Sequence, residues 1–398
     1  MRSKNVIGGI LFVVIATITV PLVRAWDAEP AVEEPAEPGN LLQNDWFAGD
    51  GSGDKSDKDA CCSPCPTCYG YVEALFLERT NSSNDQPMIV NLRGPEDAVL
   101  PIDQAPTVLS TNDLDFDFEP GVRVLIGHRL HNGWAIEGSY LGLFDADTSL
   151  CLSAPSESTI YTFPGGLGAA NVFGDVDRIW TDYSSSLHSA EANLVHCCGC
   201  CDSCGDGKGD GKSKGHCGGC NLHCRTFEWM VGFRYLNLHE HLSIYGERDQ
   251  MTESGMTAVE SGVYDIRSSS NLYGAQVGAR ARHWGRKWGW EATGKAGIFG
   301  SDVQQEQYVI DYDQFEVRPF TSASDTDLAF VGELNLTAIY RLNEVWNLRA
   351  GYNLIWITGV ALAPDQLDFS GELPAGNQID SDGCVFLHGV SCGVEARW

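Results

Sequence analysis

The chain has 398 residues, with 44 glycines, 15 cysteines and a formal net charge of −28. That charge excludes the usual partners of basic proteins, nucleic acid and anionic lipid headgroups. No repeat of fixed period is present, and no apolar run beyond the first residues is long enough for a membrane helix, so neither a solenoid nor a helical bundle in lipid fits.

Residues 1–25 read as a signal peptide. Arg2 and Lys4 supply the positive start, Val6 to Val20 the apolar core, and Val23-Arg24-Ala25 the cleavage position. The competing reading is an uncleaved anchor. Residues 26–60 contain "DAEPAVEEPAEPGN" and "GDGSGDKSDKDA". Such a stretch buries too little apolar surface to offset chain entropy, so a disordered acidic leader is expected. Residues 61–68 form a cysteine cluster, "CCSPCPTC".

From residue 69 to 398 the pattern is alternation with period two. "GWAIEGSYLGLF" sets Trp134, Ile136, Tyr140 and Phe144 against Glu137 and Ser139. In "TFEWMVGFRYL", Phe227, Trp229, Val231, Phe233 and Tyr235 oppose Glu228 and Arg234. "NLYGAQVGARARHW" opposes Tyr273, Ala275, Val277, Ala279 and Ala281 to Gln276, Arg280 and Arg282. "WGWEATGKAGIF" does the same with Trp288, Trp290, Ala292, Ala296 and Ile298 against Glu291, Thr293 and Lys295. "LAFVGELNLTAIYRL" has Phe330, Leu334, Leu336 and Tyr340 on one face and Glu333, Asn335 and Thr337 on the other. The next segment places Trp346, Leu348, Tyr352 and Trp356 opposite Asn347, Arg349 and Asn353, at hairpin distance from the last. The final stretch alternates Val390, Cys392, Val394, Ala396 and Trp398 with Ser391, Gly393, Glu395 and Arg397.

These segments run to about 9–16 residues, longer than the roughly 5–6 of a soluble strand and long enough to span a membrane as a β-strand. Aromatic residues bound the apolar faces, as girdles at two membrane interfaces require. The expected fold is all-β, a closed antiparallel transmembrane β-barrel of about ten to fourteen strands. Its polar face would line a wet lumen, with Glu137, Arg234, Arg280, Arg282, Lys295, Glu333, Asn335 and Arg349 as the lumen-facing candidates. A terminal Trp398 suits a closing strand held in the wall. The long connections, Asn81 to Leu114 and Asp145 to Asp182, would lie outside or fold into the lumen. Leu336→Asp should block assembly, and Thr337→Asp should be tolerated. A soluble sheet with the faces reversed is the competing architecture.

Three blocks carry a family resemblance: "YGYVEALFLERTN" (Tyr69 to Asn81), "GVRVLIGHRLHNGWAIEGSYLGLFDAD" (Gly121 to Asp147) and "WMVGFRYLNLHE" (Trp229 to Glu240). The chain from about Tyr69 to Trp398 resembles the planctomycete-type putative β-barrel porin family. The resemblance implies an outer-membrane barrel without an assigned solute, and no catalytic or ligand residues carry over.

The cysteines depart from a plain barrel. Beside Cys61, Cys62, Cys65 and Cys68, an insertion at 196–224 holds Cys197, Cys198, Cys200, Cys201, Cys204, Cys217, Cys220 and Cys224. Export favours disulfides among these twelve. The two Cys-x-x-Cys units, Cys201/Cys204 and Cys217/Cys220, leave zinc as the alternative, and no other cofactor is expected. Cys384 and Cys392 are too far apart along one strand to pair, and share the parity of Trp398, facing lipid.

"GDGKGDGKS" lacks the leading glycine of a phosphate loop, because position 206 is Asp206. His239-Glu240-His241 is not a zinc-protease motif. No enzyme is expected. The expected function is passive passage of small solutes through an outer-membrane barrel. Two alternatives stand beside it: a non-conducting envelope protein crosslinked to neighbours through its cysteines, and a soluble exported metal-binding β-protein. Outer-membrane lipid is the expected partner.

Overall fold

The structure is a computed structural model that describes residues 67–80, 84–94, 98–130, 133–155, 159–165, 167, 172–198, 224–251, 257–313, 315–371 and 375–398. The signal peptide, the acidic leader and Cys61, Cys62, Cys65, Cys200, Cys201, Cys204, Cys217 and Cys220 lie outside the described residues.

Thirteen strands are described: β1 (Cys68–Thr80), β2 (Pro87–Asn91), β3 (Thr107–Ser110), β4 (Glu119–Arg129), β5 (Trp134–Ser153), β6 (Tyr161–Thr162), β7 (Arg178–Cys198), β8 (Cys224–Met251), β9 (Thr257–Trp284), β10 (Trp288–Asp311), β11 (Phe315–Arg341), β12 (Trp346–Val360) and β13 (Gly383–Arg397). Ten form an antiparallel ring in the order β1-β13-β12-β11-β10-β9-β8-β7-β5-β4, while β3-β2-β6 make a separate small sheet. The ring is joined by β1 pairing with β13 from Tyr69–Arg397 to Thr80–Phe386. Outside the ladder, Cys68 N donates to the Trp398 carbonyl at 2.7 Å and Trp398 N donates back to the Cys68 carbonyl at 2.9 Å. The last residue therefore has its backbone satisfied within the wall, as a strand in lipid requires.

Burial is inverted relative to a protein in water. Ile298 is 70% exposed, Leu328 74% and Val277 63%, while Arg234 and Glu137 are each 1% exposed. The exposed side chains are those read as the apolar face. An apolar outer band flanked by tryptophan and tyrosine is the surface a barrel presents to lipid. Near the chain ends the band begins with Trp134, Trp229, Trp288, Trp346 and Trp398, and on β8 and β9 it ends at Tyr235 and Tyr273. Short turns, such as those between β9 and β10 and between β11 and β12, share that rim with Cys68 and Trp398. The 361–382 connection and the long β1–β4 and β5–β7 connections gather at the opposite end.

The strands exceed the expected length. β8 and β9 have 28 residues each and β11 has 27. Beyond Tyr235 the outward face of β8 turns polar, with Asn237, His239, His241 and Ser243, so the barrel continues past the apolar band. Alternation of hydropathy fades there because both faces carry polar groups, as in "SDVQQEQ" of β10.

Leu336 stands in mid-band, 53% exposed, and its neighbour Thr337 faces inward at 6%. Leu336→Arg is expected to cost about 2–4 kcal/mol, because a charge at the bilayer midplane has no partner. Urea titration of refolded protein in vesicles measures this. The expectation for Thr337 changes with the structure. Thr337 sits directly opposite Glu291 in the ladder, so Thr337→Asp would set two carboxylates side by side in the interior. It should impair folding, whereas Thr337→Ser should not.

Candidate functional site

The inward residues form successive layers rather than a wet channel. Nearest the short-turn rim is a layer of ion pairs. Arg123 on β4 reaches Glu333 on β11, with Nη2 donating to Oε1 at 2.9 Å. Arg234 on β8 donates to the other oxygen of Glu333 at 2.9 Å. Lys295 on β10 donates to Glu191 on β7 at 2.8 Å. Arg280 on β9 holds both oxygens of Glu137 on β5, at 2.7 and 2.8 Å, and also bonds Glu228 at 3.0 Å. Tyr69 hydroxyl donates to Glu137. Arg349 on β12 donates to Glu73, Glu395 and Glu291 at 2.7, 2.8 and 2.9 Å, and Arg282 also bonds Glu291. Strands β4 and β11 are not neighbours in the ring, nor are β5 and β9. These side chains therefore meet across the lumen. Burying so many charges is tolerable only because each finds an opposite charge and further hydrogen bonds.

An apolar layer follows, containing Leu75, Leu77, Leu187, Leu236, Leu272 and Ile355. Above it Arg79 on β1 donates to Glu240 on β8 at 2.5 Å, and the Tyr183 hydroxyl donates to the same carboxylate at 2.9 Å. The loop 361–382 is fastened here. Ala363 N donates to Glu240 at 2.8 Å and Ala361 N to Ser270 Oγ at 3.0 Å. Gln305 Nε2 donates to the carbonyls of Gly376 and Gln378, each at 2.7 Å, and Arg318 to that of Ser370 at 2.7 Å. Around that loop lies a second hydrophobic core with Met88, Leu114, Phe163, Phe173, Tyr264 and Phe369. The described parts of the long connections thus fold inward and narrow the mouth.

All eight sequence-derived lumen candidates are inside this interior. Glu137, Arg234, Arg280, Lys295, Glu333 and Arg349 carry the cross-lumen pairs, Asn335 Nδ2 donates to Glu333 at 2.8 Å, and Arg282 flanks Glu291. The interior they line is packed, which corrects the expectation of a wet lumen. Sequence reasoning missed Glu73, Arg123, Glu191, Arg79 and Glu240 as members of the set. The signal was present: each has inward parity in its strand. Among the cysteine candidates, Cys68, Cys197, Cys198 and Cys224 lie at the short-turn rim, where β7 ends and β8 begins, and no disulfide joins any pair among Cys68, Cys151, Cys197, Cys198, Cys384 and Cys392. No group of three or more His, Cys, Asp or Glu suited to a metal occurs among the described residues.

The mouth also holds an open cleft of about 1070 Å3, lined in part by Gln86, Asp365, Asp368, Phe369 and Asp380. Burial pushes the Asp365 carboxyl up to about 6; the bond from Asn84 N opposes this, Asp380 and Glu240 add to it, and Arg79 counters. A folded-state value above the unfolded one means that the fold favours the protonated form. That contribution is full below the ordinary aspartate range and is lost as pH rises through about 6. Loop amides near 361–367 should exchange more slowly at pH 5 than at pH 7 after correction for intrinsic rates. Asp365→Asn should remove the difference, and an unchanged pH dependence in that variant would count against this account.

A model of the family described as Putative beta barrel porin-7 matches residues 93–310, more than half of the chain. Comparison with curated proteins gives no match. Among solved structures, the outer membrane protease OmpT from Escherichia coli is similar at 9% identity, covering 83% of this chain and 96% of that one, with a TM-score of 0.42. The TodX deltaS2S3 mutant monoaromatic hydrocarbon channel is similar at 6% identity over 86% and 93%, TM-score 0.20. The Ralstonia pickettii toluene transporter TbuX gives 8% over 84% and 90%, TM-score 0.15. At such TM-scores a likeness assigns neither site nor substrate.

Proposed function

We propose that this protein, which belongs to the Putative beta barrel porin-7 family, is an outer-membrane β-barrel shut to free diffusion in its resting state. The observation that carries this reading is the pair of cross-lumen contacts, Arg123–Glu333 and Arg280–Glu137, roofed by the Leu75–Leu236 layer and the 361–382 loop. A ten-stranded barrel is narrow enough for side chains to fill, and here they do. Its work is then that of a wall or anchor in the envelope. The family and fold support a non-enzymatic role. Export by cleavage after Ala25 and crosslinking to envelope neighbours through the cysteine clusters belong to the same proposal.

The family description supports a second reading, passage of small solutes after rearrangement. The loop 361–382 is held by hydrogen bonds, which local opening can break. Passage would also require the apolar layer and the ion-pair layer to open. Bilayer conductance of folded, purified protein separates the two. The shut barrel predicts no steady open-channel current between about pH 5 and pH 8, a window that brackets the raised Asp365 value of about 6. A stable open conductance in the unmodified protein would favour the passive channel.

A further inference from the structure

We propose that the outer wall binds the saccharide head of an outer-leaflet glycolipid, in a polar groove crossing β7 to β10. This rests on the outer-membrane reading above. The groove encloses about 560 Å3 and is lined by Ser186, His239, His241, Arg267, Ser269 and Gln304, among others. These residues continue the outward parity of the apolar band, so they lie on the wall and not in the lumen. They begin four residues past the aromatic edge. There the Tyr235 and Tyr273 rings are 5.0 Å apart, and the Tyr235 hydroxyl donates to Asn271 Oδ1 at 2.8 Å.

Height selects the ligand. His239 and His241 follow Tyr235 by four and six residues. At about 3.3 Å per residue on a tilted strand, the groove stands roughly 10–15 Å beyond the aromatic edge. The headgroup zone extends only about 5–8 Å past the hydrocarbon. A simple phospholipid head stops short of the upper groove, whereas a sugar head of two or more rings spans it. The long connections place this end outside the cell, by the usual orientation of such barrels.

Charge selects a neutral ligand. His241 Nε2 lies 2.7 Å from Asp265 Oδ2 and Arg267 Nε lies 3.3 Å from Asp265 Oδ1. Glu306 shares the same lining. The Arg267 charge is offset by Asp265 and Glu306, so a phosphate gains little net attraction. Hydroxyl, imidazole, guanidinium, amide and carboxylate together offer the mixed donors and acceptors that sugar hydroxyls need. Among the described residues, none partners the side chains of Ser186, His239, Ser269 or Gln304.

The test uses the full chain folded into phosphatidylcholine vesicles doped with either a digalactosyl lipid or phosphatidylglycerol. Retained lipid is counted by native mass spectrometry after detergent extraction. The galactolipid should be retained about tenfold over phosphatidylglycerol. His239→Ala should reduce that preference and Ser269→Phe, which fills the groove, should abolish it, with heat-modifiable gel mobility unchanged. His239 is exposed and has no side-chain partner among the described residues, so its variant decides the matter if Ser269→Phe fails to fold. Equal retention, a preference for phosphatidylglycerol, or a preference untouched by both variants overturns the proposal. So does displacement of the lipid by free digalactose at equal concentration, which would make the ligand a soluble sugar. Failure of the unmodified protein to enter vesicles strikes the outer-membrane reading itself and is distinct from insertion without selectivity.

Discussion

A chain ending at Gly389 is expected not to assemble a barrel. The missing residues, Val390 to Trp398, pair on one side with β1, from Phe76–Val390 to Tyr69–Arg397, and on the other with β12, from Tyr352–Val390 to Trp346–Ala396. Their loss leaves two facing edges of unpaired backbone N–H and C=O groups at membrane depth. Each such group costs several kcal/mol in hydrocarbon, and several together exceed the roughly 5–15 kcal/mol that holds a typical domain folded. Glu395 is also lost, which deprives Arg349 of one of its three carboxylate partners. The truncated chain should be found protease-sensitive in the periplasm and should lack heat-modifiable mobility. Recovery of a folded truncated form from the outer membrane would remove this segment from the wall.

Glu333→Ala is expected to cost about 3–5 kcal/mol, the usual result of deleting one partner of a buried ion pair. Glu333 is the acceptor for Arg123, Arg234 and Asn335, with Lys295 at 3.8 Å. Removal leaves two guanidinium groups deep in the barrel without their strongest partner. The intact cluster is weak evidence for stability, since desolvation offsets much of the Coulomb gain; its disruption is what costs. Glu333→Gln keeps an acceptor oxygen and should fall between the two. Urea midpoints in detergent, followed by tryptophan emission, give the comparison. The same variant should remain non-conducting, because the Leu75–Leu236 layer and the mouth loop still close the barrel. A Glu333→Ala protein as stable as the parent would mean that the ion-pair layer is well hydrated.

How much was legible can be seen strand by strand. In β12, period-two alternation alone put Trp346, Leu348, Tyr352 and Trp356 on one face and Arg349 and Asn353 on the other; the structure places the first set outward and the second inward. The same held for β8 up to Tyr235. Past that point β8 runs on to Met251, and its outward Asn237 and His239 broke the hydropathy pattern without ending the strand. The ladder continues because backbone hydrogen bonds, not side-chain hydropathy, hold a strand that has risen above the lipid.

The sequence by itself determined the all-β architecture and the parity of each wall segment, which is where the inward direction of the charged groups is written, because side-chain direction in a strand is a local property. Only the tertiary structure decided the ring of ten strands, the partners and the state of the lumen. Arg280 and Glu137 are 143 residues apart, and Arg123 and Glu333 are 210 apart. Contacts across a barrel depend on its circumference and register, which no single strand contains. The folding of the 361–382 loop onto Glu240, Gln305 and Arg318 is of the same kind: polar side chains that read as a solvated lining become a packed interior once the wall brings them within reach.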